Sequence, residues 1–330
     1  MGVDASHFSG SRALITGGLG FIGSNLAHTL LKLGAKVTLI DSLIPEYGGN
    51  SFNVDGFADQ LNINISDVRD VHSMQHLVSS ADYLFNLAGQ TSHMDSMEDP
   101  FTDLDINCTA QLSILETCRT HNPKIRIVFA STRQIYGKPD YLPVDEEHLV
   151  RPVDVNGINK AAGEWYHILY NNVYDIHSCA LRLTNTYGPR MRVKDARQTF
   201  VGLWIRQILE QQPIQVWGGE QLRDFNYVDD VIDALLRVAA DNNSGGQIYN
   251  LGGDQIVTLR ELAETLVTIE GGGSYEVKEF PEERKKIDIG DYYSDWKKIN
   301  KDTGWQPRIS LAKGLEQTLS YYKNNLSQYI

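Results

Sequence analysis

Short apolar runs alternate with longer stretches of helical period through the first half of the chain. "RALIT" (12–16), "KVTLI" (36–40), "YLFNLA" (83–88), "RIVFAS" (126–131) and "HSCALRL" (177–183) are continuous and partly β-branched. Between them, residues 20–33, 70–79, 101–121 and 157–172 carry the helical pattern. Unbroken apolar strands separated by helices predict a parallel sheet covered on both faces, because each crossover lays a helix on the sheet.

After about residue 185 the alternation weakens, and loops such as "GPRMRVKDARQ" and "EGGGSYEVKEFPEERKK" intervene. The pattern therefore predicts an α/β protein: a doubly wound parallel-sheet domain over 1–183, then a smaller α/β domain over 184–330 on the carboxyl ends of the strands. "QIYNLGG" (247–253) is the exception, since a strand and helix near 226–253 are candidates to return to the first domain.

Composition narrows the choice of partner. The chain has 330 residues, 42% hydrophobic and 22% charged, with a net charge of −12. That balance disfavours nucleic acid and anionic membranes, which both call for a basic face. Cys108, Cys118 and Cys179 lack metal-ligand spacing and read as core residues of a reducing compartment. With no signal-like run and no long apolar stretch, the expectation is a soluble, cytoplasmic protein without a metal.

"LITGGLGFIGSNLA" (14–27) places Gly17, Gly20 and Gly23 after a strand and at the start of a helix. Gly17 permits the turn, Gly20 lets a pyrophosphate approach the helix N-terminus, and Gly23 lets helix pack on strand. Phe21 and Ile22 share that first turn. Asp41 closes the second strand, where its carboxylate can accept from ribose hydroxyls and repel a 2′-phosphate. NAD is therefore expected rather than NADP.

From this point the chain resembles the extended short-chain dehydrogenase/reductase superfamily, in particular its UDP-glucose 4-epimerase-like nucleotide-sugar epimerases and dehydratases. The resemblance implies a Rossmann-type first domain. It also implies that Asp67 and Val68 in "NISDVRD" lie at the adenine, and that Leu87, Ala88 and Gly89 in "NLAGQ" lie along the cofactor. Asn107 is implied to steady a neighbouring turn. "LRLTNTYGP" (181–189) and "LRDFNYVDD" (222–230) are similar to two later signatures of the superfamily.

The same resemblance implies a Ser/Thr–Tyr–Lys triad. Thr132 in "ASTRQIYGKP" takes the hydroxyl position and Lys160 in "VDVNGINKAAGEW" the lysine position. The tyrosine slot holds Asn156, whose amide has no useful proton-transfer pKa. Tyr166 is rotated away along the helix, and Tyr136 belongs to the threonine segment. His93, in a loop at the carboxyl edge of the sheet, is the preferred replacement base. Arg133 and Gln134 stand where 4,6-dehydratases carry an acidic pair, so the usual elimination is disfavoured. Three readings of Asn156 stay open: a variant with a reassigned base, a substitution that traps a complex, or the mark of a lost activity.

At the other end the resemblance implies a nucleotide-diphosphate sugar. Asn185 and Arg223 are implied at the diphosphate, Val216 in "PIQVWGG" along the nucleobase, Arg284 or Lys285 at phosphate, and Asp288 at the nucleoside ribose. Helices 101–121 and 157–172 correspond to the pair that forms a homodimer interface. The expected activity is epimerisation through a transient keto-sugar with NAD regenerated. The rivals are a decarboxylase or atypical dehydratase, and a catalytically silent nucleotide-sugar binder.

Overall fold

The computed structural model describes residues 5–280 and 288–330. Its strands are β1 (Arg12–Thr16), β2 (Lys36–Asp41), β3 (Asn62–Ile65), β4 (Tyr83–Asn86), β5 (Arg126–Thr132), β6 (Ser178–Leu183), β7 (Asn185–Tyr187), β8 (Ile214–Trp217), β9 (Leu222–Tyr227), β10 (Ile248–Asn250), β11 (Ile256–Thr258) and β12 (Tyr275–Lys278). Seven of them form one sheet in the order β10-β6-β5-β4-β1-β2-β3. Every neighbouring pair in it runs parallel. The expected Rossmann-type sheet is what the chain forms.

One detail differs from the pattern reading, and one follows its stated exception. Strand β3 has the sequence NINI, half polar and mostly exposed at the sheet edge, so it carries no apolar run for periodicity to find. At the opposite edge, β10 pairs parallel with β6, which returns part of the 247–253 segment to the sheet.

The helices are α1 (Phe21–Lys32), α2 (Val71–Val78), α3 (His93–Glu98), α4 (Pro100–Leu104), α5 (Ala110–His121), α6 (Val155–Tyr174), α7 (Phe200–Leu209), α8 (Val228–Ala240) and α9 (Leu259–Glu270). α1 packs beside α8 on one face of the sheet, while α2, α5 and α6 cover the other. α4 runs into α5 through a π-helical turn, Asp105–Thr109, so the expected helix over 101–121 is continuous but locally wider. The turn meets α6 at Gly163, where an added Cβ would stand 2.8 Å from the Asn107 carbonyl oxygen.

One apolar core runs from the α1 and α8 face into the second layer, joining Leu26, Val231 and Leu235 to Trp204, Ile214 and Leu262. This shared core holds the second layer, built on α7, α9, β8 and β12, over the carboxyl ends of the strands. Between α6 and the sheet, Arg182 on β6 forks onto Glu164 on α6 at 2.6 and 3.0 Å, with all three partners of the cluster buried once the Tyr136 hydroxyl is included. Breaking a buried pair of this kind typically costs about 3–5 kcal/mol, so α6 is fixed firmly against the sheet.

Candidate active site

The strand order reverses between β1 and β4, the place where open α/β sheets bind ligands. A cavity of about 580 Å³ opens there and reaches from the glycine loop to β8. Gly17 has φ of 66°, and a Cβ on it would stand 3.1 Å from the Ala88 backbone. A Cβ on Gly23 would stand 2.3 Å from the Gly17 carbonyl oxygen. Gly20 is the N-cap of α1 and puts no side chain over the first-turn N–H groups, which have no partner within the helix.

Around this loop the expected cofactor residues Gly17, Gly20, Phe21, Ile22, Gly23, Asp41, Asp67, Val68, Leu87, Ala88, Gly89 and Lys160 all line the cavity. Thr16 Oγ1 accepts from Leu87 N and Ala88 N at 2.9 and 3.0 Å, which pins the 86–89 loop beside the glycine loop. Asp41 accepts from Leu19 N at 3.0 Å and Leu43 N at 2.9 Å. Each of its oxygens keeps acceptor capacity for a ribose hydroxyl. Burial pushes its carboxyl above the usual range, against those two backbone bonds. Asp67 is forked by Arg69 at 2.7 and 2.9 Å. A cradle that side chains would fill, a carboxylate closing β2 and a buried lysine fit a dinucleotide.

Lys160 is buried and donates to the Ala130 carbonyl at 3.2 Å. Burial pulls it down to about 8, with the Asp103 carboxylate opposing. Thr132 Oγ1 accepts from Gln134 N at 3.2 Å and keeps its own proton to donate. His93, Thr132, Asn156 and Lys160 line the same cavity.

The Asn156 amide is already committed. Its Nδ2 donates to the Gln90 carbonyl at 2.8 Å and to Asp103 Oδ2 at 2.9 Å, with Gln90 Oε1 at 3.3 Å. A carbonyl and a carboxylate only accept, so they fix which way the amide points. Asp103 is buried and takes a second bond from Asn159 at 2.8 Å. Asn107 donates to the same Gln90 carbonyl at 3.0 Å. Among the described residues, Tyr136 and Tyr166 do not line the cavity. Tyr136 is buried on Arg182 and Asn250, and burial pushes its hydroxyl up to about 12.

His93 Nδ1 stands 2.9 Å from Asp154 Oδ2. Asp154 caps α6 through Gly157 N at 2.6 Å and is also held by Gln134 Nε2 at 2.9 Å. Burial works to raise the Asp154 carboxyl, but its contacts with His93, Gly157 and Gln134 leave it below the usual range. Sequence reasoning missed Asp154, Asp103 and Gln90. An aspartate just before a helical run signals a cap, but nothing in the chain announces its distant partner.

At the far end, Arg133 donates to Asn185 Oδ1 at 3.0 Å, and its guanidinium lies 5.1 Å from the Tyr292 ring centre. Arg223 is buried, donates to the Leu222 carbonyl at 2.9 Å and to the Gly290 carbonyl, and stands 3.7 Å from Asp288. Burial and then the nearby Arg133 pull Arg223 down to about 10. The carboxylates of Asp288 and Asp224 act on both guanidiniums and partly offset that repulsion. Asn185, Arg223 and Asp288 line the cavity as expected, whereas Arg284 and Lys285 lie outside the described residues. Val216 needs correction: its side chain is fully buried in the core, and strand alternation turns Gln215 and Trp217 to the cavity instead. Phe280 lies edge-on to Trp217 at 6.4 Å, and the two rings form an aromatic wall.

The family profile described as "NAD dependent epimerase/dehydratase family" matches residues 13–252. A Methanocaldococcus jannaschii protein provisionally named as a UDP-glucose 4-epimerase is 34% identical over 314 residues, covering 94% of this chain and 98% of that one. UDP-glucuronic acid decarboxylase 1 of Xenopus tropicalis is 30% identical over 335 residues, covering 97% and 75%. The crystal structure of UDP-glucose 4-epimerase with UDP-glucose from Thermotoga maritima superposes with a TM-score of 0.86 at 28% identity, covering 96% and 99%.

Proposed function

The chain belongs to the NAD-dependent epimerase/dehydratase family, and on that premise we propose that it epimerises a nucleotide-diphosphate sugar through a transient keto-sugar. One observation carries the choice of epimerisation over elimination. Among the described residues, the carboxylates lining the cavity are Asp41, Asp67 and Asp288, all toward its cofactor and nucleotide ends. Arg133 and Gln134 follow Thr132, and Asp103 and Asp154 are buried behind Asn156 and His93, so among the described residues no carboxylic acid faces the reacting end of the cavity to expel water.

NAD, when bound, would supply the acceptor and donor of a hydride at the sugar carbon. The residues of the chain do the rest. Lys160 has two N–H bonds beyond the one on Ala130, and these would hold the nicotinamide ribose. Thr132 donates its hydroxyl to the reacting oxygen. His93 accepts the hydroxyl proton and gives it back. Asn156 acts through packing, since its amide already serves Asp103 and Gln90. Arg223, Arg133 and Asn185 hold the diphosphate, and Trp217 with Phe280 flank the base.

A second reading has its own support. Arg133 lines the cavity next to Thr132, and its Nη1 is buried without a hydrogen-bond partner among the described residues. Such a group suits a sugar carboxylate, as in decarboxylation of a keto-uronate. Incubating the NAD-loaded protein with a panel of nucleotide-sugars and following products by mass spectrometry and NMR tests both readings. Epimerisation conserves mass, decarboxylation loses carbon dioxide and dehydration loses water. Loss of water overturns the main reading, and so does an unchanged panel.

The active unit is a homodimer. Phe101, Leu104 and Leu112 on α4 and α5, with Ile158, Trp165, Leu169 and Val173 along one stripe of α6, are exposed apolar residues. Contiguous patches of this kind mark protein interfaces, and a two-fold partner presents the same face in return.

A further inference from the structure

Asp154 divides its two oxygens between different tasks. Oδ1 accepts from Gly157 N and caps α6. Oδ2 accepts from Gln134 Nε2 and stands 2.9 Å from His93 Nδ1. The cap needs only the first oxygen, so the second is explained by what it holds. The Asp154 side chain is 0% exposed whereas that of His93 is 39% exposed and lines the cavity. A histidine with one nitrogen on a buried carboxylate therefore leaves the other nitrogen, on the opposite edge of the ring, to the cavity.

An ionised carboxylate only accepts, so it selects the tautomer with a proton on Nδ1 and none on Nε2. A bare Nε2 is the form a general base needs, and orientation by a buried acid is the logic of nucleophile–base–acid triads. In this structure Nδ1 stands 2.9 Å from Oδ2 without an aligned N–H bond, so the pair is set by proximity; catalytic hydrogen bonds are often poorly aligned before substrate binds. Surrounding bonds limit movement. Ser96 Oγ donates to the His93 carbonyl at 2.7 Å and accepts from Asn156 N at 3.3 Å, which ties the start of α3 to the start of α6. Gln134 Nε2 donates to the same Oδ2 at 2.9 Å.

Resting on the reading of His93 as proton acceptor, we propose that Asp154 is the positioning residue of a His93–Asp154 pair, locked by Gln134. This pair supplies the proton transfer that Asn156 cannot. In the forward step the substrate O–H bond breaks and its proton forms an N–H bond at Nε2. The hydride of the same carbon goes to the oxidised nicotinamide cofactor, which leaves a carbonyl. The reverse transfers then reduce the carbonyl from its other face.

Asp154→Asn separates the two oxygens, because the asparagine oxygen keeps the Gly157 cap while an NH2 group replaces Oδ2. One experiment reads the tautomer without turnover: long-range ¹H–¹⁵N NMR of the ¹⁵N-histidine-labelled full chain, with the His93 signals identified by their loss in His93→Ala. Wild type should show Nδ1 protonated and Nε2 bare, and Asp154→Asn should reverse them. On a sugar that the panel shows to react, Asp154→Asn should lower kcat by about 100-fold or more with KM nearly unchanged. The double variant His93→Ala/Asp154→Asn should lose no more than His93→Ala alone. An unreversed tautomer, or a double variant whose losses multiply, overturns the positioning role. A neutral Asp154→Asn beside a damaging His93→Ala overturns the role of Asp154 alone. A neutral His93→Ala instead overturns the reading of His93 on which it rests.

Discussion

Asn156 Nδ2 lies 2.9 Å from Oδ2 of the buried Asp103, so the amide in the proton-transfer slot holds a carboxylate in place. Removing that donor leaves a buried acceptor short of one partner. Asn156→Ala should therefore destabilise the protein by about 1–3 kcal/mol, measured by urea unfolding. A variant as stable as wild type would show that the Asn156–Asp103 bond contributes nothing.

His93→Ala removes the group assigned to proton transfer while leaving the cofactor residues in place. Turnover should fall by about 100- to 10,000-fold, with NAD affinity unchanged by calorimetry. Asn156→Ala should lose less activity than this. If Asn156→Tyr instead raises turnover by orders of magnitude and His93→Ala is neutral, the asparagine is an inactivating replacement.

Lys160 makes a pH prediction. Burial depresses it to about 8 in the folded chain, against 10.5 ordinarily. Between those values the unfolded chain holds a proton that the folded chain has released, so this residue makes stability rise with pH across that window. Lys160→Met removes the rise. Between about pH 7.5 and 9.5, wild type should gain of order 2 kcal/mol on the variant in urea unfolding. Parallel pH profiles would contradict the depressed value.

Asp41 closes β2 inside the cavity with acceptor capacity to spare. Asp41→Ala should weaken NAD binding and narrow the preference for NAD over NADP, read by fluorescence titration of both. Unmodified protein that binds NADP as tightly as NAD would overturn this role.

Trp165 and Leu169 lie on the exposed apolar stripe of α6. The protein should run at dimer mass by light scattering at micromolar concentration. Trp165→Glu with Leu169→Glu should bring it to monomer mass, because the charges would be buried unpaired across the interface. A monomeric wild type would dismiss the dimer.

Local physics made much of this protein legible in its sequence. The strands β1, β2, β4, β5 and β6 are largely apolar runs because both their faces are buried, and that burial writes itself into composition. The glycine loop was legible for a related reason: the close approaches at Gly17 and Gly23 tolerate no Cβ, so the requirement stands in the residues themselves. Strand β3 was not legible, since an edge strand with polar residues satisfies its register through backbone bonds to β2 alone. Nor was the facing of Val216, because the pleat decides which residue of an apolar run meets the cavity. The sequence could say that Asn156 cannot move a proton and that His93 stands at the right edge of the sheet. Only the tertiary structure put Asp103 on one side of Asn156 and Asp154 behind His93. Those contacts join α6 to α4 and to α3, elements whose separation along the chain leaves no local trace, and they arise from burying carboxylates that must find donors.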